Sequence, residues 1–213
     1  MTQYQNILIC ENTPSGTDKR LLENLIQRHA LLPTTSYYIE TRFPGSINDV
    51  TGFLKNTLVN QTYIVSKEAK NVLVIVDSDE NPKQRFAKLK ACFDSNVFQV
   101  QASLGASLPK STNKINVGIF LFPDCRNPGS LETLCLKTLK HLHLDSKLHC
   151  VGQYMGCVSN LDSEMTENNS AKSKIRIFTA TPDPDRYVDS ILKLVDFDST
   201  EFNLLKDFIK QAK

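Results

Sequence analysis

Two stretches of the chain are apolar almost without a break, and each ends in an aspartate: NVLVIVD at 71–77 and INVGIFLFPD at 115–124. Runs of that length and purity predict strands buried on both faces. A third strand, QNILIC at 5–10, stops at Glu11, and a fourth is predicted by SYYIETRF at 36–43, rich in β-formers and ended by Pro44-Gly45. Between them the period changes to that of helices. Asp18 can cap a helix over Lys19–His29 with Leu21, Leu22, Leu25 and Ile26 on one face. Ile47, Val50, Phe53, Leu54 and Leu58 share a helical face, and further helices are predicted at Pro82–Phe93 and Ser130–Leu142. Strand and helix alternate, which predicts an α/β fold with a mostly parallel central sheet flanked by helices.

Beyond about residue 145 the alternation fades. The reading is an α/β core over 1–145 and a helical C-terminal extension over 146–213, packed on the core as one continuous domain. The polar stretch 159–174 is expected to be a loop, IRIFTAT a helix or a strand, and the last two segments helices, the second capped by Ser199 or Thr200.

Composition narrows the class. Of 213 residues 40% are hydrophobic and 23% charged, as in an ordinary globular protein. No apolar run approaches the roughly 18 residues that would span a bilayer, and the first residues carry no basic leader. A cytoplasmic protein without membrane contact is expected. The six cysteines form no CxxC pair and read as small buried hydrophobes. A net charge of +2 offers no global field for nucleic acid, so any basic surface must be local.

The acids change the picture. In parallel α/β sheets ligands bind at the carboxyl ends of the strands, and Glu11, Asp77 and Asp124 all fall there. Asp77 and Asp79 are spaced i, i+2, so on a continuing strand their carboxylates would face one point. Two carboxylates ~4 Å apart repel by about 4 kcal/mol at an effective dielectric of ~20. Retained protons or a cation would relieve that, and all-oxygen donors suit Mg²⁺ or Mn²⁺. Glu132, in the first turn after Asp124 and Gly129, could face the same rim or answer the helix dipole. Simple helix capping by each aspartate is the competing explanation.

In these residues the chain resembles the Toprim superfamily, the metal-binding domain of topoisomerases, primases and OLD-family nucleases. The glutamate after the first strand is matched by ILICEN with Glu11, and the later DxD by VLVIVDSD with Asp77 and Asp79. The chain is more similar still to small stand-alone bacterial Toprim-like proteins. It shares with them Pro123, Asp124, Gly129, Leu131 and Glu132, then Ser173-Lys174, then Phe202, Leu205 and Phe208 near the C-terminus. Asn12 departs from the glycine usual after the glutamate, and the loop to Asp18 is longer, with Gly16 inside it.

The resemblance implies metal-dependent phosphodiester hydrolysis of DNA or RNA. Glu11 would act as general acid, general base or ligand, and Asp77 and Asp79 would hold Mg²⁺. Asp124 and Glu132 would hold a second ion, and Lys174 would stabilise developing negative charge. Through the OLD family it also implies an ATPase partner and a role in phage defence. Lys83 and Arg85, with Lys88 and Lys90, lie on the helix after Asp79 and could guide a phosphate backbone, or form a solvated face. The alternatives are a non-catalytic module that binds nucleic acid or a partner and, less favoured, a DxD phosphatase. The oligomeric state stays open, a homodimer included. His141, His143, His149, Cys150 and Cys157 match no common zinc spacing.

Overall fold

The computed structural model describes residues 4–11, 17–40, 52, 54, 69–139, 145–159, 167–180, 192–193 and 195–213. The strands are β1 (Asn6–Cys10), β2 (Tyr37–Glu40), β3 (Asn71–Asp77), β4 (Phe98–Val100) and β5 (Ile115–Phe122). The helices are α1 (Thr17–Arg28), α2 (Pro82–Lys90), α3 (Leu131–Leu139), α4 (Asp145–Ser159), α5 (Glu167–Ala180) and, after a 3₁₀ turn at Thr200–Phe202, α6 (Asn203–Lys210). The five strands form one sheet in the order β2-β1-β3-β5-β4, with every pairing parallel. This is the α/β class that the alternation predicts. No helix among the described residues is long and apolar enough to cross a membrane.

The pleat divides two cores. Ile7, Ile9, Val72, Val74, Val76, Val117, Ile119 and Leu121 face α2, with Phe86 and Leu89, and also Leu54. Leu8, Cys10, Leu73, Ile75, Phe120 and Phe122 face the other way, onto Leu21, Leu25 and Ile26 of α1 and Leu131, Leu134 and Cys135 of α3. Ile175 and Phe178 of α5, and Leu205 and Phe208 of α6, join this second core, so the C-terminal helices are integral to it. At Gly118 an added Cβ would lie 2.8 Å from the Phe208 ring, so glycine is what lets α6 close on β5.

Several expectations need correction. The stretch expected as a loop over 159–174 is helical from Glu167 onward. Ala171, Ile175 and Phe178 of this helix fall at i, i+4 and i+7 and are buried, which is the helical period. IRIFTA continues that helix. The helix α4 was not expected, and it is anchored by buried Val151 and Met155. The edge strand β4 was also missed, being only three residues long. Cys10, Cys92 and Cys135 are buried as read, but Cys150 and Cys157 on α4 are exposed. Ser199 caps the 3₁₀ turn, accepting from the Glu201 N–H at 3.3 Å. The loop with Gly16, most of the helix expected over 46–58, His141, His143 and most of the penultimate helix lie outside the described residues.

Gly118→Ala is expected to cost about 1–3 kcal/mol by overpacking against Phe208, read as a lower Tm. The cost should shrink when measured in a Phe208→Leu background, because the two sites are coupled.

Candidate metal centre

The sheet order places the switch point between β1 and β3, where the chain turns outward in opposite directions. The helix after β1 covers one face and the helix after β3 the other. The carboxyl ends of these two strands therefore flank a crevice, the usual ligand position in such sheets. Glu11 leaves β1 there, and Asp77 ends β3 there.

The pleat sends the two acids to opposite faces. Glu11 continues the Ile7–Ile9 side and meets α2, where Arg85 Nη2 lies 3.4 Å from its Oε1. Asp77 continues the Leu73–Ile75 side and is 5% exposed. Its Oδ1 accepts the Leu131 N–H at the start of α3 (3.0 Å), and its Oδ2 accepts from Lys172 Nζ on α5 (3.1 Å). A helix N-terminus and an ammonium thus share one carboxylate.

Asp79 does not stand beside Asp77 as the i, i+2 spacing predicts. The strand stops at Asp77, and Asp79 adopts φ 54°, in the left-handed region. It bridges to Gly129, whose N–H donates to the Asp79 carbonyl at 3.1 Å. Between the two aspartates, the buried Ser78 hydroxyl lies 3.1 Å from both the Gly129 and the Asn127 carbonyl oxygens, with one proton to donate between them. The loops after β3 and β5 are thereby stitched together. Gly129 itself has φ 145°, and a Cβ there would lie 2.9 Å from the Thr133 hydroxyl, so glycine is required. The Asp79 carboxylate is left 53% exposed, 3.7 Å from Arg85 Nε. It lines an open cleft of about 580 Å³ together with Ser78, Glu80, Asn81, Gln84, Arg85 and Lys88.

Glu132 sits half-buried in the first turn of α3, and its charge acts on Asp77, Asp18 and Lys172. Asp18 joins the group, though the sequence reading took it as a plain cap: it lies in the first turn of α1 and is buried. Asp124 is not brought in. Its Oδ1 accepts the Arg126 and Asn127 N–H groups at 3.0 and 2.8 Å, and its Oδ2 accepts from Asn127 Nδ2 at 2.8 Å. Lys137 Nζ stands 3.5 Å away. Asp124 thus builds its own turn, and those bonds overcome burial to hold its pKa below the usual carboxylate range. Lys83 is exposed and does not line the cleft, while Arg85 is engaged with Glu11 and Asp79. The ammonium that reaches Asp77 belongs to Lys172; Lys174, two residues along, points about 200° around the helix. Lys172 lies inside the stretch read as a loop, which is why it was missed.

The electrostatics are those of crowded acids. Burial, then repulsion from Asp77, pushes Glu11 up to about 7, against the pull of Arg85. Burial raises Asp77 to about 6 although Lys172 opposes it. Burial, then Asp77, Glu11 and Glu132, pushes Asp18 well above its ordinary value. Burial alone would lower the Lys172 pKa, but Asp77 and Glu132 outweigh it and hold it raised. Among the described residues, Arg85 pairs with Glu11 and Asp79, and Lys172 with Asp77. The fully buried Ser130 hydroxyl, next to Leu131, has no hydrogen-bond partner among the described residues. This donor chemistry fits a hard divalent cation. As the side chains stand, no three His, Cys, Asp or Glu residues among those described gather around a common point.

A carboxyl whose pKa is raised on folding stabilises the fold at low pH and loses that contribution as pH rises through the folded value. For Glu11 the window runs from about 4.5 to about 7. Glu11→Gln should therefore raise Tm at pH 8 in metal-free buffer and have little effect at pH 4.5. Thermal melts of both proteins across that range check it.

No curated protein and no solved structure matches the chain. A family model described as "Protein of unknown function (DUF3226)" matches residues 5–212, nearly the whole chain, and the protein belongs to that family.

Proposed function

We propose that the protein is a metal-dependent phosphodiester hydrolase acting on nucleic acid, with Mg²⁺ or Mn²⁺ held at the β1/β3 crevice. The observation that carries the reading is the surplus of carboxylates there: Glu11, Asp18, Asp77, Asp79 and Glu132 against Lys172 and Arg85. The match of Glu11 and the Asp77/Asp79 pair to the Toprim pattern supports it. So does the position of the crevice at the switch point of the sheet.

Asp77 would hold the ion, with Glu132 and Asp18 beside it, and Asp79, which stands near Arg85 in this structure, would have to turn inward to join them. A bound dication would offset the phosphate charge and lower the pKa of water. The chain's own groups do the rest. Glu11, with a pKa of about 7 in the metal-free protein, can keep or release a proton near neutrality, as a general acid or base requires. Lys172 holds Asp77 in place and would offer its remaining N–H groups to a phosphate oxygen. Arg85 fixes Glu11 and Asp79 relative to each other. Asp124, committed to its own turn, is left out of the ligand set. An ATPase partner and a role in phage defence belong to the same proposal and rest on the OLD-family resemblance alone.

One observation favours the second reading, a module that binds nucleic acid or a partner without cleaving it. Lys172 and Arg85 already neutralise Asp77 and Glu11 from within the chain.

Incubation of plasmid and of single-stranded DNA and RNA with Mn²⁺ or Mg²⁺ separates the two. The hydrolase reading expects cleavage that chelation abolishes and that Asp77→Asn lowers at least a hundredfold. Absence of cleavage at high protein concentration with any of these substrates would overturn it in favour of the binding module. In calorimetry, Mn²⁺ should bind the wild type, and Asp77→Asn should weaken that binding by tenfold or more. Lys172→Met should lower Tm in chelator and regain most of the loss in Mn²⁺, because the ion supplies the missing charge.

A further inference from the structure

The amino end of the sheet carries the opposite charge. There Lys70, Lys110, Lys114 and Lys213 line an open groove of about 900 Å³, and among the described residues no Asp or Glu side chain lines it. All four lysines are exposed. The rest of the lining includes Ser111, Thr112, Asn113 and Asn96, which are donors of the kind that contact phosphates. A surface normally mixes the two signs of charge; four ammonium groups around one concavity, with no Asp or Glu side chain among the described lining residues, make a local field that the net charge of +2 hides.

The groove is also rigid. Asn6, Asn71 and Asn116 lie in register on three adjacent strands. Asn71 Nδ2 donates to Asn6 Oδ1 (2.8 Å), Asn116 Nδ2 donates to Asn71 Oδ1 (3.2 Å), and Asn116 Oδ1 accepts the Ser111 N–H (2.8 Å). The loop carrying Lys110 and Lys114 is thus pinned to the sheet edge. Its other end is held where Gln211 Oε1 accepts the Leu108 N–H (2.6 Å). Lys114 donates to the Ser95 carbonyl (2.6 Å), which sets its direction and leaves two of its three N–H groups available.

We propose that this groove is a binding site for the phosphate backbone of a nucleic acid, distinct from the acid cluster and occupied without metal. The lysines come from three separate segments, before β3, before β5 and after α6. A single phosphate would engage one or two of them, whereas a chain of phosphates engages them all. Among the described residues no aromatic side chain lines the groove, which favours recognition by backbone, independent of sequence. The groove and Asp77 sit at the two ends of β3, about 20 Å apart at the rise of a strand. That the polyanion is a nucleic acid rests on the phosphodiester reading above; the charge of the groove does not.

Fluorescence anisotropy with a labelled single-stranded oligonucleotide, in chelator so that nothing is cleaved, tests the site. Wild type should bind with a steep salt dependence between about 50 and 200 mM. The triple variant Lys70→Gln/Lys110→Gln/Lys114→Gln should bind at least tenfold more weakly at low salt. Its slope of log affinity against log salt should be shallower by about 2, and each single variant should take a share of both losses. Its Tm and its Mn²⁺ titration should match wild type, since all three side chains are exposed and remote from the acids. Wild-type affinity and slope in the triple variant would overturn the proposal, as would absence of binding by the wild type. Full displacement of the oligonucleotide by inorganic phosphate at matched phosphate concentration would also overturn it, in favour of a small-anion site. Cleavage retained alongside a failed groove would leave the hydrolase reading intact. Binding lost in the triple variant, with no cleavage by wild type, would keep the groove and remove the hydrolase.

Discussion

Carboxylates crowded into a half-dry crevice repel one another, and the fold must answer that repulsion. The answer comes from both faces of the sheet. Arg85 reaches Glu11 and Asp79 from α2, while Lys172 and the N-terminus of α3 reach Asp77 from the other side. Arg85 makes its ion pairs with Glu11 and Asp79, and Lys172 with Asp77. The burial of α5 against the sheet is therefore more than core packing. By burying Ile175 and Phe178, the helix delivers an ammonium to a carboxylate 95 positions away in the chain. Burial first, and then repulsion among the neighbouring acids, raises the proton affinities of Glu11, Asp18 and Asp77.

The loops around the crevice are built as firmly as the strands beneath. Ser78 and the Asp79–Gly129 bridge tie the exit of β3 to the exit of β5. That clamp turns Asp79 out of the strand direction and into the left-handed region, and so separates it from Asp77. Asp124 is spent on folding the β5–α3 loop that supplies Gly129 and the start of α3. An acid that looks like a ligand in a motif thus acts as the frame that holds the others. At the far end of the same strands an asparagine ladder and a lysine groove replace the acids.

Short-range pattern was enough for much of this. Unbroken apolar runs marked β1, β3 and β5 as buried strands, because a strand covered on both faces has no polar position to show. The residue after such a run has to sit at a strand end, which placed Glu11 and Asp77 correctly without any coordinates. Gly129 was legible as a turn for a similar local reason. What the sequence could not reveal is which distant side chain answers each acid. Lys172 lies in a polar stretch whose apolar residues are too sparse to announce a helix until the core they enter is known. Asp18 looked like any helix cap, since its burial comes from α1 lying over the crevice. The divergence of Asp77 and Asp79, the private turn of Asp124, and the gathering of Lys70, Lys110 and Lys114 all depend on contacts between segments far apart in the chain. Periodicity determines which face of an element is apolar; only the packed tertiary structure decides which charges meet.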